Sequence, residues 1–124
     1  MNFEAARPIW MQVADQIKAD IVTGRQPPGG KLPGGRDLAL QYTINPNTAA
    51  RVYQELEKEG VVETRRGMGT YVTEDAARIA CLRDHLAQTA ARQYLKQMAA
   101  LGFARGEAAQ FLEQAEQETE QEEE

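Results

Sequence analysis

The chain has few of the residues that staple, ligate or catalyse: its 124 residues include one cysteine, Cys81, and one histidine, His85. A lone cysteine excludes an internal disulfide. Cys81 and His85, four apart on one helical face, fall short of the ligand set that a tetrahedral metal needs. No nucleophile or paired carboxylate is patterned around the histidine, and no phosphate loop with its lysine occurs. Neither an enzyme nor a bound cofactor or metal is therefore expected. Long apolar runs are missing too. Charges interrupt every stretch before the roughly 18–20 residues that cross a bilayer, and Met1-Asn2-Phe3-Glu4 lacks the basic start and apolar core of a secretion signal. A cytoplasmic chain with no membrane contact is expected.

An excess of basic charge is also missing, since the formal net charge is −5. That balance argues against a nucleic-acid partner only if it is evenly spread, and it is not. Residues 1–73 carry nine Lys/Arg against eight Asp/Glu, whereas residues 74–124 carry five against eleven. Seven of those eleven acids lie between Glu113 and Glu124, far along the chain from most of the arginines. With 42% hydrophobic residues, the remainder can build a modest core.

From Pro8 to Thr23, Ile9, Val13, Ile17 and Ile21 recur every four positions beside Trp10 and Val22, which predicts a helix closed by Gly24. Gln26-Pro27-Pro28-Gly29-Gly30 is a stiff turn, followed by a short strand around Lys31-Leu32. Gly35–Tyr42 reads as a two-turn helix with Leu38, Ala39 and Tyr42 on one side. After Thr43-Ile44, Asn45 is a suitable N-cap and Pro46 a suitable first residue for another helix, because that position's amide has no helical partner anyway. Ala49, Val52, Tyr53 and Leu56 form its buried stripe, Gly60 ends it, and Asn47, Thr48, Arg51 and Gln54 face outward. Val61–Arg66 and Thr70–Thr73 are β-branched segments joined by Gly67-Met68-Gly69, a hairpin. Helix, helix, tight turn, helix, hairpin is the order of a winged helix-turn-helix domain. The expected fold class is therefore mainly α with a small β-hairpin, a winged helix-turn-helix over residues 1–73 followed by a helical dimerisation arm.

That arm is expected over residues 74–118, with an acidic, disordered tail at 119–124. Its apolar stripe of Ile79, Leu82, Leu86, Leu95 and Met98, then Phe111 and Leu112 beyond the Leu101-Gly102-Phe103 break, has little within the chain to bury against. Pairing with a second copy is its outlet, and the expected assembly is a homodimer. The Glu-rich end reads as a solvated run.

Gly30–Ala39, Asn45-Pro46-Asn47-Thr48, Tyr53–Gly60 and Gly67-Met68-Gly69-Thr70-Tyr71-Val72, in that order and spacing, resemble the GntR family of bacterial transcription regulators. The short section after the hairpin and the Asn-Pro-Asn-Thr turn are similar to its YtrA subfamily of dimeric repressors, often of transporter operons. The resemblance implies that Arg36 reaches DNA, that the start of the Asn45 helix enters the major groove, and that the Gly67 tip touches the minor groove or backbone. The chain departs from the pattern at Gly34-Gly35, where a Ser-x-x-Arg is usual, and at Pro46 and Ala50, where arginines are usual. The family's operator sequence therefore does not transfer.

The expected DNA-contacting set is Arg36, Asn45, Asn47, Thr48, Arg51, Arg65, Arg66 and Gly67. Arg36 follows a Gly-Gly pair that admits a phosphate. Asn47 and Thr48 sit in the first turn of the reading helix, where short polar groups meet base edges or cap the helix. Arg51 either contacts DNA or pairs with Glu55 at i+4. Trp10, Tyr53 and Tyr71 fit core packing better than base stacking. Only 51 residues follow residue 73, too few for a separate ligand domain, so a small-molecule effector would sit between the arms or at the dimer interface. A reading of another class stays open at this point, in which the winged domain is an adaptor that recruits protein; steep loss of DNA affinity with salt would separate the two.

Overall fold

The computed structural model describes Phe3 and residues 5–123, which form two compact units divided between Asp84 and His85. In the first, α1 (Ile9–Val22) starts behind Pro8, and its i, i+4 stripe of Val13, Ile17 and Ile21 is buried. Gly24, at φ +82°, stops it in a conformation that costs an L side chain about 1–2 kcal/mol. The predicted strand at Lys31-Leu32 is a single bridge to Tyr71, flanked by hydrogen bonds from Gly29 N to Val72 O and from Leu32 N to Thr70 O.

The next two helices, α2 (Gly35–Tyr42) and α3 (Pro46–Lys58), are joined by Thr43-Ile44-Asn45. Thr43 takes the left-handed conformation at φ 54°, which turns the chain sharply enough to lay α3 across α2. Asn45 Oδ1 then accepts from Asn47 N at 2.7 Å, the cap foreseen from the Asn-Pro pair. Leu38 and Ala39 from α2 are buried, as are Ala49, Val52, Tyr53 and Leu56 from α3. The Tyr53 hydroxyl donates to the Pro33 carbonyl, closing the core at its polar edge.

The wing consists of β1 (Val62–Arg65) and β2 (Gly69–Val72), antiparallel with Val62 opposite Val72 and Arg65 opposite Gly69. Val62 and Val72 point inward and complete the core. Burial of each such side chain stabilises the fold by about 1.5–3 kcal/mol. The unit extends beyond the expected boundary at residue 73, into the start of α4 (Ala76–Ala100). Asp75 caps that helix by accepting from Arg78 N at 3.1 Å, Arg78 donates to the Glu59 carbonyl at 3.0 Å, and Leu82 is buried.

The second unit contains the rest of α4 and α5 (Arg105–Glu123). Gly102 at φ +89° makes the turn between them, with Phe103 N donating to Met98 O. Phe103 and Phe111 meet edge to face with centroids 5.1 Å apart, and Tyr94 OH donates to Ala108 O at 2.7 Å. The expected disorder at 119–124 is corrected as far as Glu123, since α5 runs unbroken to that residue. Glu, Gln and Ala are strong helix formers, and like-charge pairs at i, i+4 cost only about 0.2–0.5 kcal/mol each. No helix among the described residues is long and apolar enough to cross a membrane.

Candidate nucleic-acid interface

The basic side chains of the winged unit fall into two sets. Arg7, Lys18, Arg25, Lys58 and Arg65 each form an ion pair, with Asp15, Glu59, Asp20, Glu55 and Glu63 respectively. Lys31, Arg36, Arg51 and Arg66, on or beside the helix-turn-helix and the hairpin, have no ion pair among the described residues, and neither do Arg78 and Arg83 at the start of α4, of which Arg78 donates to the Glu59 carbonyl. The unit is nearly neutral overall, yet four of its unpaired cations fall on or beside the helix-turn-helix and the hairpin.

Arg36, the second residue of α2, is exposed. The buried Leu38 and Ala39 fix the opposite face of its helix. Gly34 has an ordinary φ of −61°, and a Cβ added at Gly34 or Gly35 would meet nothing within 4 Å. Packing therefore does not demand either glycine, and their effect is to keep the backbone before Arg36 open to a bulky partner. Arg36 and Pro46 line one open concavity with Leu40, Thr43 and Ile44, so the starts of α2 and α3 share a surface.

On α3, Asn47 is exposed and Thr48 half-buried. Asn45 is also exposed, but its Oδ1 serves the cap, leaving only its amide nitrogen to reach outward. Of the two fates foreseen for Arg51, the pairing with Glu55 does not form: Glu55 takes Lys58, and the Arg51 guanidinium lies over the Trp10 ring, 4.6 Å from its centroid. Stacking uses the face of the guanidinium and leaves its edge N–H groups directed outward. Trp10 is accordingly a half-buried platform for an arginine rather than a core residue.

At the wing, Arg65 lies 4.1 Å over the Tyr71 ring and also holds Glu63 at 3.2 Å. Arg66 is exposed, and Gly67 forms the tip at φ +75° with open space around it. Sequence reasoning missed Lys31: its Cε would lie 3.0 Å from a Cβ built on Gly69, so the glycine lets the lysine stem cross the hairpin. The signal was present in the strand placed at Lys31, which had only to be paired with Tyr71 to bring that lysine to the wing.

Two tyrosines have displaced ionisation. Burial, then the charge of Asp20, raises Tyr42, and burial, then Tyr42, pushes Tyr53 up to about 12. Both are structural phenols at neutral pH.

In the arm, Leu95, Phe111 and Leu112 are exposed and Ile79, Leu86 and Met98 half-buried. Leu82 departs from the expected dimerisation stripe, because it is already covered within the winged unit at 8% exposure.

A three-helix core with a short-turn helix pair, an exposed first turn on the second of that pair and a glycine-tipped hairpin define a winged helix-turn-helix DNA-binding domain. The model of the bacterial regulatory proteins of the gntR family matches residues 11–72. An uncharacterized HTH-type transcriptional regulator, YhcF of Bacillus subtilis, is 43% identical over 106 residues, covering 86% of this chain and 88% of YhcF. The HTH-type transcriptional repressor YtrA of the same organism is 46% identical over 72 residues, 58% of this chain and 55% of YtrA. Among solved structures, a GntR family transcriptional regulator from Listeria monocytogenes superposes with a TM-score of 0.81 at 34% identity, covering 90% of this chain and 98% of that one. The chain belongs to the GntR family and is a DNA-binding transcriptional regulator rather than an enzyme.

Proposed function

We propose that the protein is a homodimeric repressor that occupies a pseudo-palindromic operator and blocks a promoter. Each copy places the first turn of α3 in a major groove, with half-sites about 10–10.5 base pairs apart. Arg36 and Arg66 grip phosphates, Asn47 and Thr48 reach base edges, and Arg51 is held ready by Trp10. Lys31, Arg65 and Gly67 bring the wing to the backbone or minor groove. The observation that carries this reading is the gathering of Lys31, Arg36, Arg51 and Arg66, which have no ion pair among the described residues, on or beside the helix-turn-helix and the wing. Ile79, Leu86, Leu95, Met98, Phe111 and Leu112 form the dimer face, and the likeness to a relative named a transcriptional repressor supports repression; a transporter operon is the proposed target.

The test is selection of duplexes from a random pool, followed by fluorescence anisotropy on the winner and on a scrambled duplex at two salt concentrations. An inverted repeat bound with steep salt dependence is expected. Equal, weak binding to both duplexes would reject the reading and favour the protein-recruiting adaptor.

A further inference from the structure

The arm is acidic overall, yet three of the five basic residues after position 74 converge on one place. Arg92, Lys96 and Arg105 line an open groove of about 320 Å³ with Leu95, Ala99 and Phe103 on the hairpin of α4 and α5. Arg92 makes a long hydrogen bond to Thr89 at 3.4 Å, and none of the three cations has an ion pair among the described residues. The groove is an apolar floor with a cationic rim. Further along α5, Phe111 and Leu112 are 43% and 52% exposed, and Glu113, Glu116, Glu118, Glu120 and Glu122 follow. That segment is apolar with an acidic rim, the complement of the groove.

The segment cannot fill the groove of its own chain. Helix α5 is continuous from Arg105, which lines the groove, so Glu116 and Glu120 lie about 16–22 Å further along the axis at 1.5 Å per residue. A second chain must supply them. Arg92 and Lys96 are four residues apart, as are Glu116 and Glu120, so both rows repeat every ~6 Å and can meet in register.

We propose that the groove of one copy receives the acidic end of α5 from the other, and, by the two-fold symmetry of a homodimer, the reverse as well. This inference rests on the homodimer reading and adds which segments meet and why they choose each other. The acidic end of α5 is then a part of the interface rather than a solvated run.

The experiment uses two full-length variants, Lys96→Glu/Arg105→Glu with a reversed groove and Glu116→Lys/Glu120→Lys with a reversed helix end, each checked by circular dichroism. Sedimentation at low salt should show each alone dimerising about thirtyfold more weakly than wild type. Their equimolar mixture should recover a heterodimer near wild-type strength, because both contacts in it are again opposite in charge. The wild-type dimer itself should weaken about tenfold as salt rises from about 50 to about 500 mM. Variants that dimerise like wild type, a mixture that stays monomeric, or a salt-indifferent wild-type dimer would overturn the inference and leave the homodimer standing. A monomeric wild type would remove both.

Discussion

The two units of this chain use apolar residues in opposite ways. In the winged unit, the apolar stripes of α1, α2, α3 and the hairpin meet each other, and among the described residues all the buried apolar side chains except Ala108 lie there. In the arm, Leu95, Leu101, Phe111 and Leu112 are exposed, and the two helices are joined by little more than Phe103–Phe111 and the Tyr94–Ala108 hydrogen bond. The charges follow the same division. The winged unit pairs five of its eleven cations internally and carries four unpaired ones on or beside the helix-turn-helix and the wing, while the arm leaves Arg92, Lys96 and Arg105 unpaired around a groove and its acids in a row at the end of α5. One unit covers its own apolar stripes; the other leaves apolar side chains uncovered, which the proposed dimer would bury.

The hardest blow to that contrast comes from paired truncations. Leu56→Ala, at a fully buried site, should cost about 3–4 kcal/mol in urea unfolding. Leu112→Ala in the arm should change unfolding of dilute protein by less than about 0.5 kcal/mol and instead weaken the dimer by about tenfold. Comparable unfolding costs at the two sites would mean that the arm has a core of its own. Next in size, Arg36→Ala should lower affinity for the selected duplex about thirtyfold and reduce the salt slope by about 1, with sedimentation showing the dimer intact. A dimer that falls apart would move Arg36 from the DNA face to the assembly.

Alkaline titration sharpens the picture of the winged core. The Tyr53 phenol is held protonated up to about 12, above its ordinary 10. The folded state thus favours the neutral form, and the stability this supplies is present below pH 10 and lost as pH rises from 10 to 12. Tyr53→Phe should cost about 1 kcal/mol at neutral pH through the lost bond to Pro33 and should flatten the alkaline fall of the denaturation midpoint. An equally steep fall in the variant would assign the effect elsewhere. The smallest effect is a gain. Thr43→Gly should stabilise the winged unit by about 0.5 kcal/mol in the same assay, since glycine adopts φ 54° without the strain of a β-branched residue.

How much of this was legible in the sequence follows the same division. In the winged unit, period-four stripes, Asn45-Pro46 and the glycine-tipped hairpin specify element type and order locally, so the helices and wing are found where expected. What pairs with what was less legible. Arg51 was expected either at DNA or beside Glu55, and it stacks on Trp10, because a contact between α1 and α3 has no signature within either helix. Lys31 joins the wing through a bridge spanning forty residues, again a tertiary fact. In the arm, the apolar stripe was visible, but Leu82 belongs to the winged unit, since periodicity does not say which neighbour covers a face. The Glu-rich end was read by its charge, when its helix propensity decides its structure.

The most direct test of the whole account is the affinity of the wild-type protein for its selected inverted repeat and for the same duplex with about five base pairs, half a helical turn, inserted between the half-sites. A dimer whose arms fix two reading helices should bind the lengthened duplex about a hundredfold more weakly, because the half-sites then face opposite sides of the DNA. Unchanged affinity would show that each winged unit binds alone and would contradict the assignment of the arm as the element that joins two copies on DNA.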